Sequence, residues 1–488
     1  MPSLSIADEF RLTVGNLGDI ASDLVSPSLR IGVTGLSRAG KTVFLTALIH
    51  HLLHPTSLPG LKAHRSGRLI GAKLSQQPDD SVPRFAFEEH VRKLVEERDW
   101  PTSTRQISEL RVSIEYESNS ALARALGRST LELDFVDYPG EWLLDLPLLD
   151  LNYAAFSKQA LDKARHKSRA ALANPFLELV QTIDPTAPLD ESAATQLAET
   201  FSAYLKACRS DETSLSMLPP GRFLMPGDLE GSPALTFAPL DLTEAQGKAP
   251  SGSLHAAMKR RYDAYKRLVV KPFFMEHFAR LDRQVVLVDT MAAINAGADA
   301  LADLQDAIAA ILMCFKPGKR NLLSRMLGPN VDRLAFAATK ADHLHHEQHD
   351  RLEAILENLV QGARDKALFS GAKVETIALG SVRATREATT RHRGETLKAV
   401  TGTPMKGEKI AGEVFDGERE AAIFPGDLPD RFSDLFAIPH SDRGPNDPLI
   451  RFVRFRPPKT QMNGNQMPAL PHIRMDRLLE FLIGDRLD

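Results

Sequence analysis

Eight consecutive residues, Gly35-Leu36-Ser37-Arg38-Ala39-Gly40-Lys41-Thr42, fit G-x-x-x-x-G-K-[ST] without a mismatch. That spacing describes a phosphate cradle. Glycines let the backbone curl without a Cβ in the way, so the N–H groups of Ser37, Arg38, Ala39 and Gly40 can converge on phosphate oxygens. Lys41 reaches the β- and γ-phosphates, and the Thr42 hydroxyl is a ligand for Mg²⁺. A helix starting at the lysine adds its N-terminal dipole.

Such a cradle needs a metal ligand and a phosphate sensor. Asp137-Tyr138-Pro139-Gly140 ends an apolar run, where an aspartate can hold the Mg²⁺ shell. The D-x-x-G spacing sets the Gly140 N–H where a γ-phosphate oxygen can accept from it, and loss of that phosphate releases the segment. Glu141 follows, where many regulatory GTP-hydrolysing proteins carry Gln. Two readings are open: it takes a proton from the attacking water, or it pairs with a cation. A second ligand for Mg²⁺ and the γ-phosphate is expected before the strand at Ile107. Thr102 and Thr104 qualify, and Thr104 is nearer. Lys41, Arg38, Glu141 and Thr104 are therefore the catalytic candidates, and Thr42, Thr104 and Asp137 the metal candidates.

Thr339-Lys340-Ala341-Asp342 matches the [NT]-K-x-D pattern of base recognition. The Asp342 carboxylate accepts from guanine N1–H and the exocyclic amine. Adenine lacks that N1–H and would leave a buried carboxylate without partners. Lys340 lies along the base. Ser381-Val382-Arg383-Ala384 follows the next apolar run, where backbone at Ser381 and Val382 can support the guanine oxygen.

Other residues draw weaker readings. His343, His345, His346 and His349 include i, i+3 pairs, but no carboxylate or cysteine pattern completes a metal site. Asp289 ends an apolar run and reads as a helix cap or an outer Mg²⁺ residue. Lys316–Arg320 and Arg325 form a small basic patch, read as a solvated loop. Cys208 and Cys314 read as core residues, too few for a disulfide framework.

The elements that must hold these groups are legible as patterns. Leu29–Val33, Gln284–Val288, Arg333–Ala337 and Thr376–Leu379 are short apolar runs separated by helical stretches, the alternation of a parallel sheet wrapped by helices. Thr42–Leu53 reads as a helix, and so does Phe87–Asp99. Ile107–Glu117 and Thr130–Val136 alternate as an antiparallel pair. Residues 1–27 read as one amphipathic helix. Between 151 and 279 strand patterns vanish; Phe156–Ala173 and His255–Arg280 read as helices, with a long Pro/Gly-rich loop at 218–239. Thr396–Phe424 holds short strand-like pieces, and Met475–Ile483 reads as an apolar helix.

The chain of 488 residues is long enough for about three domains. The division is an N-terminal helix (1–27), a first part of the nucleotide domain (28–150), a helical insertion (151–279), a second part (280–390) and a C-terminal extension (391–488). The fold class is α/β, a P-loop NTPase of GTPase type with a mostly parallel sheet. A formal net charge of −3 gives no reason to expect nucleic-acid binding. With no long uncharged apolar run and no basic, apolar leader, the expectation is a cytoplasmic chain.

GLSRAGKT, PTSTRQISELR, VDYPGEWLLDLP, PPGRFLMPGD, LVDT, FAATKADH and PHIRMDRLLEFLIGD together resemble the YcjX-like family of bacterial P-loop GTPases, in order and over nearly the whole chain. The resemblance implies GTP/GDP and Mg²⁺ as ligands, a slow nucleotide switch in stress-associated gene sets, and a small membrane protein as partner, with peripheral placement at the inner membrane. GLSRAGKT is also similar to the loop of the guanylate-binding proteins. That likeness implies an arginine finger supplied in cis by Arg38 when two nucleotide domains form a homodimer. Two other classes stay open: an interaction module with structural nucleotide, and a P-loop ATPase in which TKAD is coincidence.

Overall fold

A computed structural model describes residues 28–35, 39–55, 58–102, 106–120, 127–210, 218–242, 249–313, 331–392, 395–410, 412–437, 450–451, 453–460 and 468–488. The helix expected over 1–27, the basic patch at 316–325 and Cys314 lie outside the described residues. The chain forms two compact units. A helical unit takes Pro139–Arg280 and the described part of Ala296–Pro329. A sheet unit takes the described parts of Val14–Tyr138, Leu281–Asn295 and Asn330–Asp488.

Seven strands make the sheet: β1 (Ser28–Gly35), β2 (Leu69–Ser75), β3 (Ser108–Tyr116), β4 (Ser129–Asp137), β5 (Arg283–Val288), β6 (Arg333–Ala338) and β7 (Lys373–Ala378). Their order is β2-β3-β4-β1-β5-β6-β7. From β4 to β7 every pairing is parallel, whereas β2–β3 and β3–β4 are antiparallel. β5 is buried along its whole length and β1 along its second half, which is why both read as short apolar runs. The antiparallel pair expected from sequence is thus the inner part of a three-strand region. β2 gave no strand pattern because none of its residues is fully buried and Gly71 adjoins a register shift. Across β3 and β4, Arg111 faces Asp134 and the two make an ion pair at 2.6 Å.

The Lys41–Leu53 helix buries Phe44, Leu45, Leu48, Ile49 and Leu52 in the core of the sheet unit. The Met475–Ile483 helix buries Leu478, Leu479 and Leu482 in that same core, with Ile31, Val33, Leu133, Val285 and Ala335 of the central strands. Arg283 locks the junction. Its side chain is fully buried and donates to both Asp485 oxygens at 2.6 and 2.7 Å and to Asp332 at 3.1 Å, and it also bonds the Leu482 carbonyl. Beyond β7, β8 (Arg386–His392) and β9 (Glu395–Gly402) form an antiparallel hairpin.

The helical unit contains Tyr153–Ala164, Ala170–Thr182, Glu191–Ser210, Leu254–Tyr265 and Ala298–Met313. Its core is aromatic: Phe156 stacks on Tyr262 at 4.8 Å, and Phe223 meets Phe237 at 4.9 Å. The single helix expected over Phe156–Ala173 is two, because Arg165-His166-Lys167-Ser168-Arg169 offers no apolar residue to continue the buried face. His255–Arg280 is also interrupted. The helix widens over Lys266–Val270 ahead of Pro272, which has no N–H to give to the ladder. Ala298–Met313 sits here by virtue of its own contacts; Leu301, Ile308 and Ile311 are buried, and Asp303 pairs with Arg169.

Candidate nucleotide-binding site

The site begins where β1 runs out. A Cβ on Gly35 would stand 2.9 Å from Leu287 Cβ and 3.0 Å from the Leu287 carbonyl oxygen, so the loop leaves the sheet through a gap only glycine fits. Gly40 has φ +79 and serves as the cap before Lys41–Leu53, a conformation that a side chain would strain. Ala39 and Thr42 are buried. Lys41 Nζ donates to the Gly35 carbonyl at 3.2 Å, spanning the loop from its last turn to its first residue. Ser37 and Arg38 lie outside the described residues, and so does Thr104.

Parallel register brings the next group alongside. Asp137 pairs with Val33 of β1 on one side and with Ser108 of β3 on the other, and it is fully buried. The carboxylate is therefore beside the strand that feeds the loop, at the β3 end that residues 102–107 lead into. Tyr138 is buried as well. Its hydroxyl accepts from Gln284 Nε2 at 3.1 Å, and burial pushes the phenol far above its ordinary pKa.

Between Tyr138 and Pro139 the chain leaves the sheet unit. Gly140 and Glu141 open a 3-10 stretch, Gly140–Asp150, that is bound into the helical unit. Glu141 is buried and pairs with Arg209 at 2.6 Å. Gly221 packs so closely on Glu141 that a Cβ there would stand 1.8 Å from the Glu141 carbonyl oxygen. Asp145 is the hub. It accepts from Gly221 N at 2.6 Å, from Arg222 N at 3.2 Å and from Tyr265 Oη at 2.6 Å. Burial outweighs these donors and raises its carboxyl to about 6. The Arg222 guanidinium stacks on Trp142 at 3.2 Å, and Trp142 Nε1 donates to the Met225 carbonyl at 2.9 Å. Sequence reasoning passed over Asp145; its signal was a single acid inside the apolar run Trp142–Leu146.

Thr339-Lys340-Ala341-Asp342 follows β6. Lys340 takes φ +63, unusual for a residue with a side chain, and its Nζ reaches Asp289 Oδ2 at 2.5 Å. Asp289 thereby joins the ends of β5 and β6, and its other oxygen caps the next helix at Ala292 N, 3.2 Å. Asp342 is buried, and its Oδ2 accepts from the backbone N–H of Ala384 at 3.0 Å. The Thr385 hydroxyl bonds the Asp342 carbonyl. The loop after β7 is thus tied directly to the aspartate. Within it Val382 is buried, Ser381 is half-buried, and Arg383 N donates to Pro471 O at 2.6 Å. Lys41, Thr42, Asp137, Lys340, Asp342 and the 381–384 loop all belong to the sheet unit, at the carboxyl ends of β1, β4, β6 and β7 or in the loops that leave them. Gly140 and Glu141 belong to the helical unit.

A parallel sheet with a Gly-rich loop between its central strand and the following helix defines the P-loop class of α/β nucleotide-binding folds. Within that class, the family model described as "YcjX-like family, DUF463" matches residues 29–487. The chain belongs to this family. It is 37% identical over 473 residues to "Ras-like GTPase YcjX" of Escherichia coli, covering 95% of this chain and 97% of that protein. It is 34% identical over 478 residues to "Ras-like GTPase YcjX" of Shewanella oneidensis, covering 94% and 95%. Among the described residues no helix is long and apolar enough to cross a membrane.

Proposed function

We propose that this protein binds and hydrolyses GTP with Mg²⁺ and works as a slow nucleotide switch. One observation carries the reading: a phosphate loop with its lysine and a base-reading aspartate lie at the carboxyl ends of parallel strands in one sheet, where open α/β sheets bind ligands. The names of the two relatives support it. The Thr42 hydroxyl and the Asp137 carboxylate are hard oxygen donors of the kind Mg²⁺ takes, and with Thr104 they would hold it. Bound there, the ion supplies neutralisation of phosphate charge. Lys41 and the N–H groups from Ser37 to Gly40 hold the phosphates, Lys340 and Asp342 select guanine, and backbone at Ser381 and Val382 supports its oxygen. Arg38 serves as a finger in cis in a homodimer.

The Glu141–Arg209 pair favours low turnover, since a carboxylate engaged by a guanidinium is not free to orient an attacking water. It also keeps the second reading, an interaction module with structural nucleotide. A role in bacterial stress and a small membrane partner for a cytoplasmic chain come from the family resemblance. They complete the proposal.

Equilibrium binding of fluorescent GDP, ADP and xanthosine diphosphate with Mg²⁺, for wild type and Asp342→Asn, tests the reading. Asparagine keeps one oxygen for the Ala384 N–H, so the loop survives. The expected outcome is loss of GDP affinity by about 100-fold and a gain for xanthosine diphosphate, whose 2-oxo group suits an amide donor. Equal binding of GDP and ADP, indifferent to the substitution, overturns the guanine assignment and favours an ATPase.

A further inference from the structure

Directly after the base-reading segment, two imidazoles and a carboxylate lie together, with a second carboxylate beside the imidazoles. Donor atoms of His345, His346 and Glu347 lie within 4.8 Å of one another. Glu387, on β8, brings its Oε2 to 2.8 Å from His346 Nδ1 and 3.8 Å from His345 Nε2. The two rings are 4.4 Å apart. His345 is buried and anchors the group, while His346 is 61% exposed and opens it to solvent. Neither the nucleotide reading nor the fold requires this arrangement. His343 and His349, the other members of the histidine run, are used elsewhere: His343 packs on Phe455 at 5.4 Å, and His349 Nε2 bonds the Ala341 carbonyl at 2.9 Å.

We propose that His345, His346, Glu347 and Glu387 form a binding site for a divalent transition metal of the zinc class. Two imidazole nitrogens with carboxylate oxygens are the donor set such ions take, and they are softer than the all-oxygen sets of Mg²⁺ or Ca²⁺. Metal–ligand bonds near 2.0–2.1 Å in tetrahedral geometry set donors about 3.3 Å apart. The two separations from Glu387 Oε2, 2.8 and 3.8 Å, bracket that value, and the donor atoms of His345, His346 and Glu347 lie within 4.8 Å of one another. The metal takes the place of the His346–Glu387 hydrogen bond. Ligation through His345 Nε2 puts that ring's proton on Nδ1, which gives up only a long contact from Glu347 N at 3.4 Å. Lys398, 2.8 Å from Glu347, and Arg383, 3.4 Å from Glu387, oppose a cation, but each faces an Oε1, and Oε2 of Glu387 is the oxygen turned to the rings.

The consequence is mechanical. His345 and His346 sit three and four residues past Asp342, and Glu387 sits three past Ala384, whose N–H holds Asp342. A metal would clip the two guanine-recognition segments together.

The test uses the full chain, stripped of metal and without nucleotide, so its result is independent of the guanine assignment. Zn²⁺ alone is titrated in competition with a chromophoric chelator, for wild type, His346→Ala, Glu387→Gln and the double variant. Both single sites are partly exposed, and unchanged melting in chelator confirms that each variant folds. Expected are one Zn²⁺ per wild-type chain, affinity at least about 10-fold weaker in each single variant, and no competition in the double variant. Zinc should also raise the melting temperature of wild type and leave the double variant unmoved. Zinc bound equally by wild type and double variant overturns the site, as does no binding to wild type at about 100 μM.

Discussion

The short contacts of Lys41, Lys340 and Glu141 each hold a charge in place before any ligand arrives. Lys41 rests on the Gly35 carbonyl and Lys340 on Asp289, so both cations are positioned by backbone and carboxylate partners inside the sheet unit. Glu141 differs because it is buried in the helical unit and Arg209 is the guanidinium that faces it. Arg209→Ala leaves that carboxylate without its cation and should cost about 3 kcal/mol. Adding Glu141→Gln should recover most of the loss, because a neutral amide needs no counter-charge. Urea unfolding of the two variants checks this, and equal losses would place the effect in the packing of the Arg209 stem. At this scale the sequence was most informative. Glycine, lysine and aspartate at fixed spacing leave few alternatives: Asp137 ends β4, Lys41 opens the helix after β1, and Asp342 lies in the loop after β6. The cluster of His345, His346, Glu347 and Glu387 was not legible as one, because its members are neighbours in sequence on one side and 41 residues away on the other.

Among the elements, the Gly140–Asp150 stretch decides most. It follows the D-x-x-G segment directly and is fastened by Asp145 to the Pro220–Arg222 turn and to Tyr265. Asp145→Asn keeps the shape but offers one acceptor oxygen and turns an NH₂ toward groups that donate. A loss of about 1–3 kcal/mol is expected. Trp142 fluorescence in a Trp100→Phe background reports it, since these are the two tryptophans of the chain. The pH dependence has a definite sign. A carboxyl whose folded pKa is raised to about 6 binds its proton more tightly in the fold than in the unfolded chain, so stability falls as pH rises between about 4 and 6. Asp145→Asn should remove that slope. A slope that survives the substitution would assign it to other groups. Sequence reasoning marked both partner segments as motifs and could not join them, for hydrogen bonds between residues 76 apart leave no periodic trace.

On the scale of the whole chain, the sheet was most readable where strands are buried along their length. β1, β5 and β6 announced themselves; β2, half-covered at an edge, and β8 did not, and β9 showed only as a strand-like piece after Thr396. The two-unit division was harder still, because Ala298–Met313 follows β5 in sequence yet spends its apolar face in the helical unit. The Met475–Ile483 helix completes the sheet unit, and Leu479→Ala should destabilise that unit by about 2–5 kcal/mol. GDP affinity should weaken only under conditions where unfolded chain becomes populated. Hydrogen exchange across β1 and Lys41–Leu53 measures the first effect. Unchanged protection there would mean that the helix is dispensable to the core.

Arg283 and its carboxylates also have a temporal meaning. The strand that carries the phosphate loop is made early, and the helix that covers the same core comes about 440 residues later. At about 5–20 residues per second the ribosome takes roughly half a minute or more to supply that cover. Throughout that time the apolar side chains of β1 and β4 have no native mate from the C-terminal helix. A nascent chain of this protein therefore keeps that part of its core uncovered until the Met475–Ile483 helix emerges.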